Sequence, residues 1–233
     1  INLPAVPNIP LIDRDPWSQR YYHLIRQDEH KISEEMIRTA RHAYYGMISY
    51  VDEQVGKILN VLEETNLRDN TAVIFTSDHG DMMGERGMWY KFNPFEWSVR
   101  VPMVIAAPGG LKGVREKRLV SLVDLLPTFI DFASPNDKVK PVDLIDGKSI
   151  KPLIYGEQDN KSDEVMIEFT AEGTYAPALI LRKGDWKYIY CETDPGMMFN
   201  LRTDPNETQN LCENPEFEGR AKEMVSDILS RWN

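Results

Sequence analysis

Residues 33–77 constrain this chain most. Ser33 is a good N-cap, Glu34 and Glu35 put negative charge in a first turn, and Met36, Ala40, Tyr44, Met47, Val51, Val55, Ile58 and Leu62 recur at spacings of three and four. The pattern predicts one amphipathic helix to about Glu64, on the order of 45 Å long. A short loop, TNLRDN, leads into TAVIFTS (71–77), a continuous β-branched and apolar run of the kind found in strands buried on both faces. A long helix feeding such a strand predicts an α/β fold with a mainly parallel sheet flanked by helices. VPMVIAAPGG (101–110) repeats the strand signal, and LVDLLPTFIDFA (122–133) reads as the next helix.

On either side of this core the character differs. Residues 1–30 carry Pro4, Pro7, Pro10 and Pro16 without a clean period and read as an extended connector. The chain opens on Ile1 rather than Met, inside that Pro-rich stretch, so it is expected to be a piece of a longer protein. Residues 31–134 form the predicted α/β core. Residues 135–233 read as a smaller subdomain, first rich in Pro, Asp and Lys. In it VMIEFT (165–170), ALILRK (178–183) and WKYIYCE (186–192) are strand-like, the last two joined through Gly184-Asp185, a hairpin signal. A small antiparallel sheet is therefore expected, closed by an amphipathic helix over 217–232 with Met224, Ile228 and Leu229 on one face.

Composition narrows the partners. At 233 residues the chain can bury a real core, and its net charge of −10, spread along the sequence, argues against a nucleic-acid backbone as partner. No apolar run reaches the ~18 residues a membrane span needs. The two cysteines, Cys191 and Cys212, are too few for a disulfide framework and mildly favour a reducing compartment.

The chemistry-bearing stretch is TSDHGDMMGERGMWYKFNPFEWSVRVP, from Thr76 to Pro102, which begins where the predicted strand ends. Asp78 and His79 are adjacent, and Gly80 permits a sharp bend that lets both side chains reach one ion. Anionic oxygen beside neutral imidazole suits Mn²⁺ or Zn²⁺ better than Ca²⁺. Asp-His-Gly is also ordinary turn chemistry, so the tripeptide alone leaves both readings open. The following loop is too long for a simple connection, and it packs Trp89, Tyr90, Phe92, Phe95 and Trp97 into nine positions around Lys91. A lysine among rings is often a snorkelling surface residue. A fixed ammonium beside a divalent ion is also what stabilises charge on a transferring sulfuryl or phosphoryl group.

Residues 43–110, from AYYGMISYVDEQVGKILNVLEETNLRDN through TSDHGDMMGERGMWYKFNPFEW to VPMVIAAPGG, resemble the second half of the core of a sulfatase of the alkaline phosphatase superfamily. VSLVDLLPTFIDFA (120–133), AEGTYAPALILRKGDWKYIYCETDP (171–195) and FNLRTDPNETQNL (199–211) are most similar to the choline sulfatase branch. The resemblance implies an alkaline-phosphatase-like sandwich. It implies that Asp78 and His79, where many sulfatases have Asn, hold one divalent metal, Ca or Mn. It further implies that Lys91 is catalytic and binds the sulfate oxygens, and that a formylglycine is the nucleophile. The substrate implied is a small sulfate ester such as choline sulfate, in a cytoplasmic homo-oligomer. Acidic and aromatic side chains suit a quaternary ammonium group. Glu172 is the first candidate for that contact and Glu168 the second.

The C/S-x-P-x-R segment that becomes formylglycine has no counterpart here, because Cys191 stands in YCETD and Cys212 in LCENP. The chain thus resembles the C-terminal half of a sulfuric ester hydrolase, expected to be inactive alone. Two alternatives remain. One is a phosphonate monoester or phosphodiester hydrolase of the same superfamily. The other is a non-catalytic binding or assembly module.

Overall fold

The computed structural model describes residues 1–134, 141, 143–157, 163–170 and 172–232. In chain order the elements are α1 (Pro16–Leu24), α2 (Glu34–Glu64), β1 (Val73–Thr76), a short α3 (Glu96–Val99), β2 (Met103–Ala106), α4 (Leu125–Ala133), a short α5 (Lys151–Tyr155), β3 (Glu164–Phe169), β4 (Ala178–Lys183), β5 (Trp186–Cys191), β6 (Met197–Asn200) and α6 (Glu218–Arg231). The long helix has the expected limits, and the Ser33 hydroxyl accepts from the Met36 amide at 3.2 Å.

Residues 1–30, expected as an extended connector, instead contain α1. The Asp15 side chain caps it by accepting from the Ser18 amide, and Pro16 occupies the first turn, where its missing N–H is no loss. Trp17 and Tyr21, one turn apart, are buried by it.

The strands form two sheets, β1-β2 and β3-β4-β5-β6. The expected parallel pairing is not found among the described residues: β1 and β2 run antiparallel, with Val73 opposite Ala106 and Thr76 opposite Met103. The link between them holds a single 3-10 turn, Glu85–Gly87, and the four-residue α3, too little for the helical crossover that parallel neighbours need. Nor is β1 buried on both faces, since Phe75 is 40% exposed.

The four-stranded sheet is an antiparallel meander. Both faces of β4 are covered, which explains its unbroken apolar start, Ala-Leu-Ile-Leu. On one face Ala178, Ile180, Ile189 and Phe199 pack against Trp17 and Tyr21 of α1 and against Met82, Met88 and Phe95 of the loop after β1. On the other, Leu179, Leu181 and Met198 pack against Met224 and Ile228 of α6, whereas Leu229, expected on the same face, is 46% exposed. The strand β6, which carries Met198 and Phe199, was not expected from sequence.

A buried ionic network fixes the loop to this sheet. Lys187 of β5, fully buried, lies 2.7 Å from Glu207 and 3.1 Å from Glu96 at the start of α3. Arg182 of β4 holds the other Glu96 oxygen at 2.8 Å, and the Glu96 amide donates to Glu207 at 2.7 Å.

By contrast, no residue of α2 is buried. Tyr50 is 65% exposed and Ile58 61%, and Val104 of β2 and Phe129 of α4 are also open to solvent. Apolar surface on this scale marks interaction faces. This chain alone is expected to bind a hydrophobic dye such as ANS and to self-associate with concentration. Dye-free, monomeric behaviour in sedimentation would contradict the exposed faces.

Candidate active site

The site is built where β1 ends. The Asp78 side chain stands 82% exposed, and its Oδ1 accepts from the His79 amide at 3.0 Å and from the Ser77 hydroxyl at 3.4 Å. Slight burial disfavours ionisation of Asp78. Hydrogen bonds from its own and the His79 amide, the nearby His79 ring and the Ser77 hydroxyl outweigh that and hold the carboxyl below its usual range.

His79 has its tautomer set by its partners. Nδ1 lies 2.8 Å from the Gly80 carbonyl, which can only accept, so Nδ1 carries the proton. That leaves the Nε2 lone pair as acceptor, and the Lys91 Nζ stands 2.7 Å from it. The Asp78 Oδ2 is 3.4 Å from the same nitrogen. Asp78, His79 and Lys91 are thus brought together, although twelve residues separate His79 from the lysine.

The loop returns Lys91 to His79 through a closed backbone path. The Met82 amide donates to Tyr90 at 2.8 Å and the Gly84 amide to Met88 at 2.9 Å. Met83, Arg86, Tyr90 and Phe92 all have left-handed backbones, with φ between 45° and 66°, at a cost of roughly 1–2 kcal/mol each. Buried Glu85 offsets part of this by accepting from the Ala5 and Val6 amides at 3.0 and 2.9 Å and from Arg41 at 3.2 Å. Two of the four strained residues flank Lys91 directly.

His79, Asp81 and Lys91 open into a cleft of about 390 Å³. Tyr21, Leu24, Ile25, Tyr90 and Phe92 supply its apolar walls, and Glu172 adds a second carboxylate. Phe92 stands 5.1 Å below the lysine nitrogen and is itself wedged between Tyr21 and Phe169 at centroid distances of 6.4 and 6.3 Å. Burial, then the charges of Asp81, Tyr90 and Glu172, push the Tyr21 hydroxyl up to about 12, so it stays neutral and donates to the Trp89 carbonyl at 3.3 Å. Glu168, the second candidate for a substrate cation, is exposed on β3 and does not line the cleft. Neither cysteine lines it: Cys191 is buried in the core, and Cys212 is half-buried.

Sequence reasoning missed Asp81 and the α1 contribution. The spacing of Trp17, Tyr21 and Ile25 behind Asp15-Pro16 is a helix signal that would have placed α1.

Residues 14–135 match the family model "Sulfatase", and residues 84–232 match "N-sulphoglucosamine sulphohydrolase, C-terminal". The chain belongs to the sulfatase family. Among curated proteins it is 43% identical to a choline-sulfatase of Rhizobium meliloti over 91% of this chain and 41% of that relative. It is 34% identical to an arylsulfatase of Clostridium perfringens over 81% of this chain and 39% of that protein. The chain thus spans about two fifths of the length of these relatives. Among solved structures it superposes on a phosphonate monoester hydrolase of Agrobacterium radiobacter with a TM-score of 0.75 and 27% identity, over 85% of this chain and 42% of the other. The α/β class and the alkaline-phosphatase-like architecture stand on these matches. Among the described residues no helix is long and apolar enough to cross a membrane.

Proposed function

We propose that this chain forms one wall of the active site of a metal-dependent sulfuric ester hydrolase of choline-sulfatase type. The observation that carries this is the meeting of Asp78, His79 and Lys91 at the end of β1, beside a cleft that His79 and Lys91 line together with Asp81, Glu172 and aromatic rings. The exposed Asp78 carboxylate fits one position of a divalent ion's shell, and the Nε2 lone pair of His79 fits a second once the Lys91 ammonium, 2.7 Å from it, turns to a sulfate oxygen. No group of three His, Cys, Asp or Glu side chains with metal-ligating geometry occurs among the described residues, so in this reading Asp78 and His79 form part of the ion's shell and a formylglycine of the complete protein is the nucleophile. Mixed oxygen and nitrogen donors favour Mn²⁺ over Ca²⁺. When held there, a divalent ion would supply Lewis-acid polarisation of the sulfate oxygens of the ester.

The chain's own residues do the rest. Lys91 presents its ammonium to the oxygen on which charge builds as the ester bond breaks. Phe92 beneath the lysine and the strained backbone on both sides of it hold that ammonium in place. Glu172 and the rings of Tyr21, Tyr90 and Phe92 receive a cationic alcohol portion such as choline.

In the complete protein, Asp78→Ala is expected to abolish metal binding by calorimetry. Lys91→Ala is expected to keep the metal but lower turnover of choline sulfate by about 10²-fold, the scale for losing one charge-stabilising donor. Normal turnover in the Lys91 variant would refute the lysine's role. The likeness to a phosphonate monoester hydrolase supports a second reading with the same residues and a different ester. Faster turnover of a phenylphosphonate monoester than of any sulfate ester would decide for it.

A further inference from the structure

The turn that carries Glu172 to the cleft is held by one side chain of α1. The Arg20 Nε donates to the Gly173 carbonyl at 2.6 Å, while Nη1 and Nη2 grip both oxygens of Asp194 at 2.9 and 2.5 Å. The same guanidinium lies 4.5 Å over the Tyr175 ring. One helical turn earlier, the Trp17 Nε1 donates to the Glu172 carbonyl at 3.2 Å. Gly173 fits this approach with a left-handed backbone (φ 83°), and a Cβ there would stand 2.8 Å from the Trp17 ring.

The geometry of these contacts has a direction. Asp194 follows β5 and is part of the C-terminal sheet's connection to β6, and its side chain is only 9% exposed. It therefore anchors the guanidinium to the sheet, and the guanidinium anchors the backbone of residues 172–175. Arg20 does not line the cleft. Its charge is spent on Asp194, so it does not repel a cation bound beside Glu172. An Arg suits this role because its planar fork serves two carboxylate oxygens while Nε remains for a third acceptor, which a Lys cannot do.

We propose that Arg20 is a positioning residue for substrate selectivity, setting where Glu172 stands in the cleft and hence the preference for cationic over neutral sulfate esters. This rests on the reading of Glu172 as the cation's partner.

The test compares kcat/KM for choline sulfate with that for a neutral aryl sulfate in the complete, metal-loaded protein. Glu172→Gln is expected to lower the choline-to-aryl ratio by about 10-fold or more, the scale of a lost charge-assisted contact. Arg20→Gln is expected to lower it about as far, with Arg20→Lys in between, and to add nothing in the Glu172→Gln background. Hydrogen exchange of the 172–175 amides should quicken in Arg20→Gln. A purely structural role would lower both esters together and leave the ratio alone. If Glu172→Gln moves the ratio and Arg20→Gln does not, the proposal is wrong and the Glu172 reading survives. If Glu172→Gln leaves the ratio unchanged, that reading falls and takes the proposal with it. Should Arg20→Gln lose its thermal transition, Arg20→Lys, which keeps a charge beside Asp194 but cannot serve Asp194 and Gly173 together, is judged by the same ratio: a fall supports the proposal and an unchanged ratio overturns it.

Discussion

Replacing Lys187 by methionine is expected to lower folding stability by about 3–5 kcal/mol, read as a fall in urea midpoint at constant slope. Methionine fills much of the same volume, so the loss is electrostatic. Without the ammonium, Glu207, 1% exposed, and Glu96 face each other across a site from which water is excluded. Burial pushes the Glu207 carboxyl above its ordinary range, and Lys187 works against that rise. In the variant the opposition is gone and the rise is larger. A carboxyl raised in the folded state leaves stability intact below its unfolded pKa, about 4.3, and removes it as pH climbs past that value. The deficit of Lys187→Met against the native chain is therefore expected to be smallest near pH 4 and to grow toward pH 7. A deficit equal at both ends would show that packing, and not charge, explains the loss.

Gly80→Ala is expected to disturb stability and site together. A Cβ on residue 80 would lie 2.0 Å from the Trp97 carbonyl oxygen and 3.3 Å from that of Ser98. These are main-chain atoms that cannot rotate away, and the Gly80 amide already donates to Ser98 at 2.7 Å. Either the end of β1 or the start of the return to β2 must shift, at a cost of about 1–3 kcal/mol. Because the His79 Nδ1 rests on the Gly80 carbonyl, the imidazole shifts with it and its bond to Lys91 breaks. Urea denaturation and the nitrogen resonances of His79 read the two effects separately. A variant with native stability and unmoved His79 resonances would refute the close approach.

That close approach also shows what sequence can and cannot convey. Gly80 was expected to serve a bend, and the neighbour that excludes a side chain lies seventeen residues away. Local signals were legible where local physics decides: α2 follows its spacing and Ser33 cap, and the β4-β5 hairpin follows Gly184-Asp185. The helix α1 is hidden among four prolines without a clean period, which read together as an extended connector although the first-turn position of Pro16 makes it a helix starter. The antiparallel pairing of β1 with β2 depends on a long-range partner, which neither strand's composition encodes. Asp78, His79 and Lys91 could be named from their chemistry and from family resemblance. Their meeting is produced by left-handed turns at Met83, Arg86, Tyr90 and Phe92, residue types that give no sign of that conformation.

The packing of α1 on the last sheet carries a cost in time. Trp17 and Tyr21 leave the ribosome well before the residues they bury against, which run as far as Phe199, some 180 residues later. At about 5–20 residues per second the two rings wait roughly 10–40 s for their partners. The cleft, which draws walls from Tyr21, Lys91 and Glu172, likewise cannot close until Glu172 has been made, and a chaperone that shields the nascent α1 would act before this wall of the site exists.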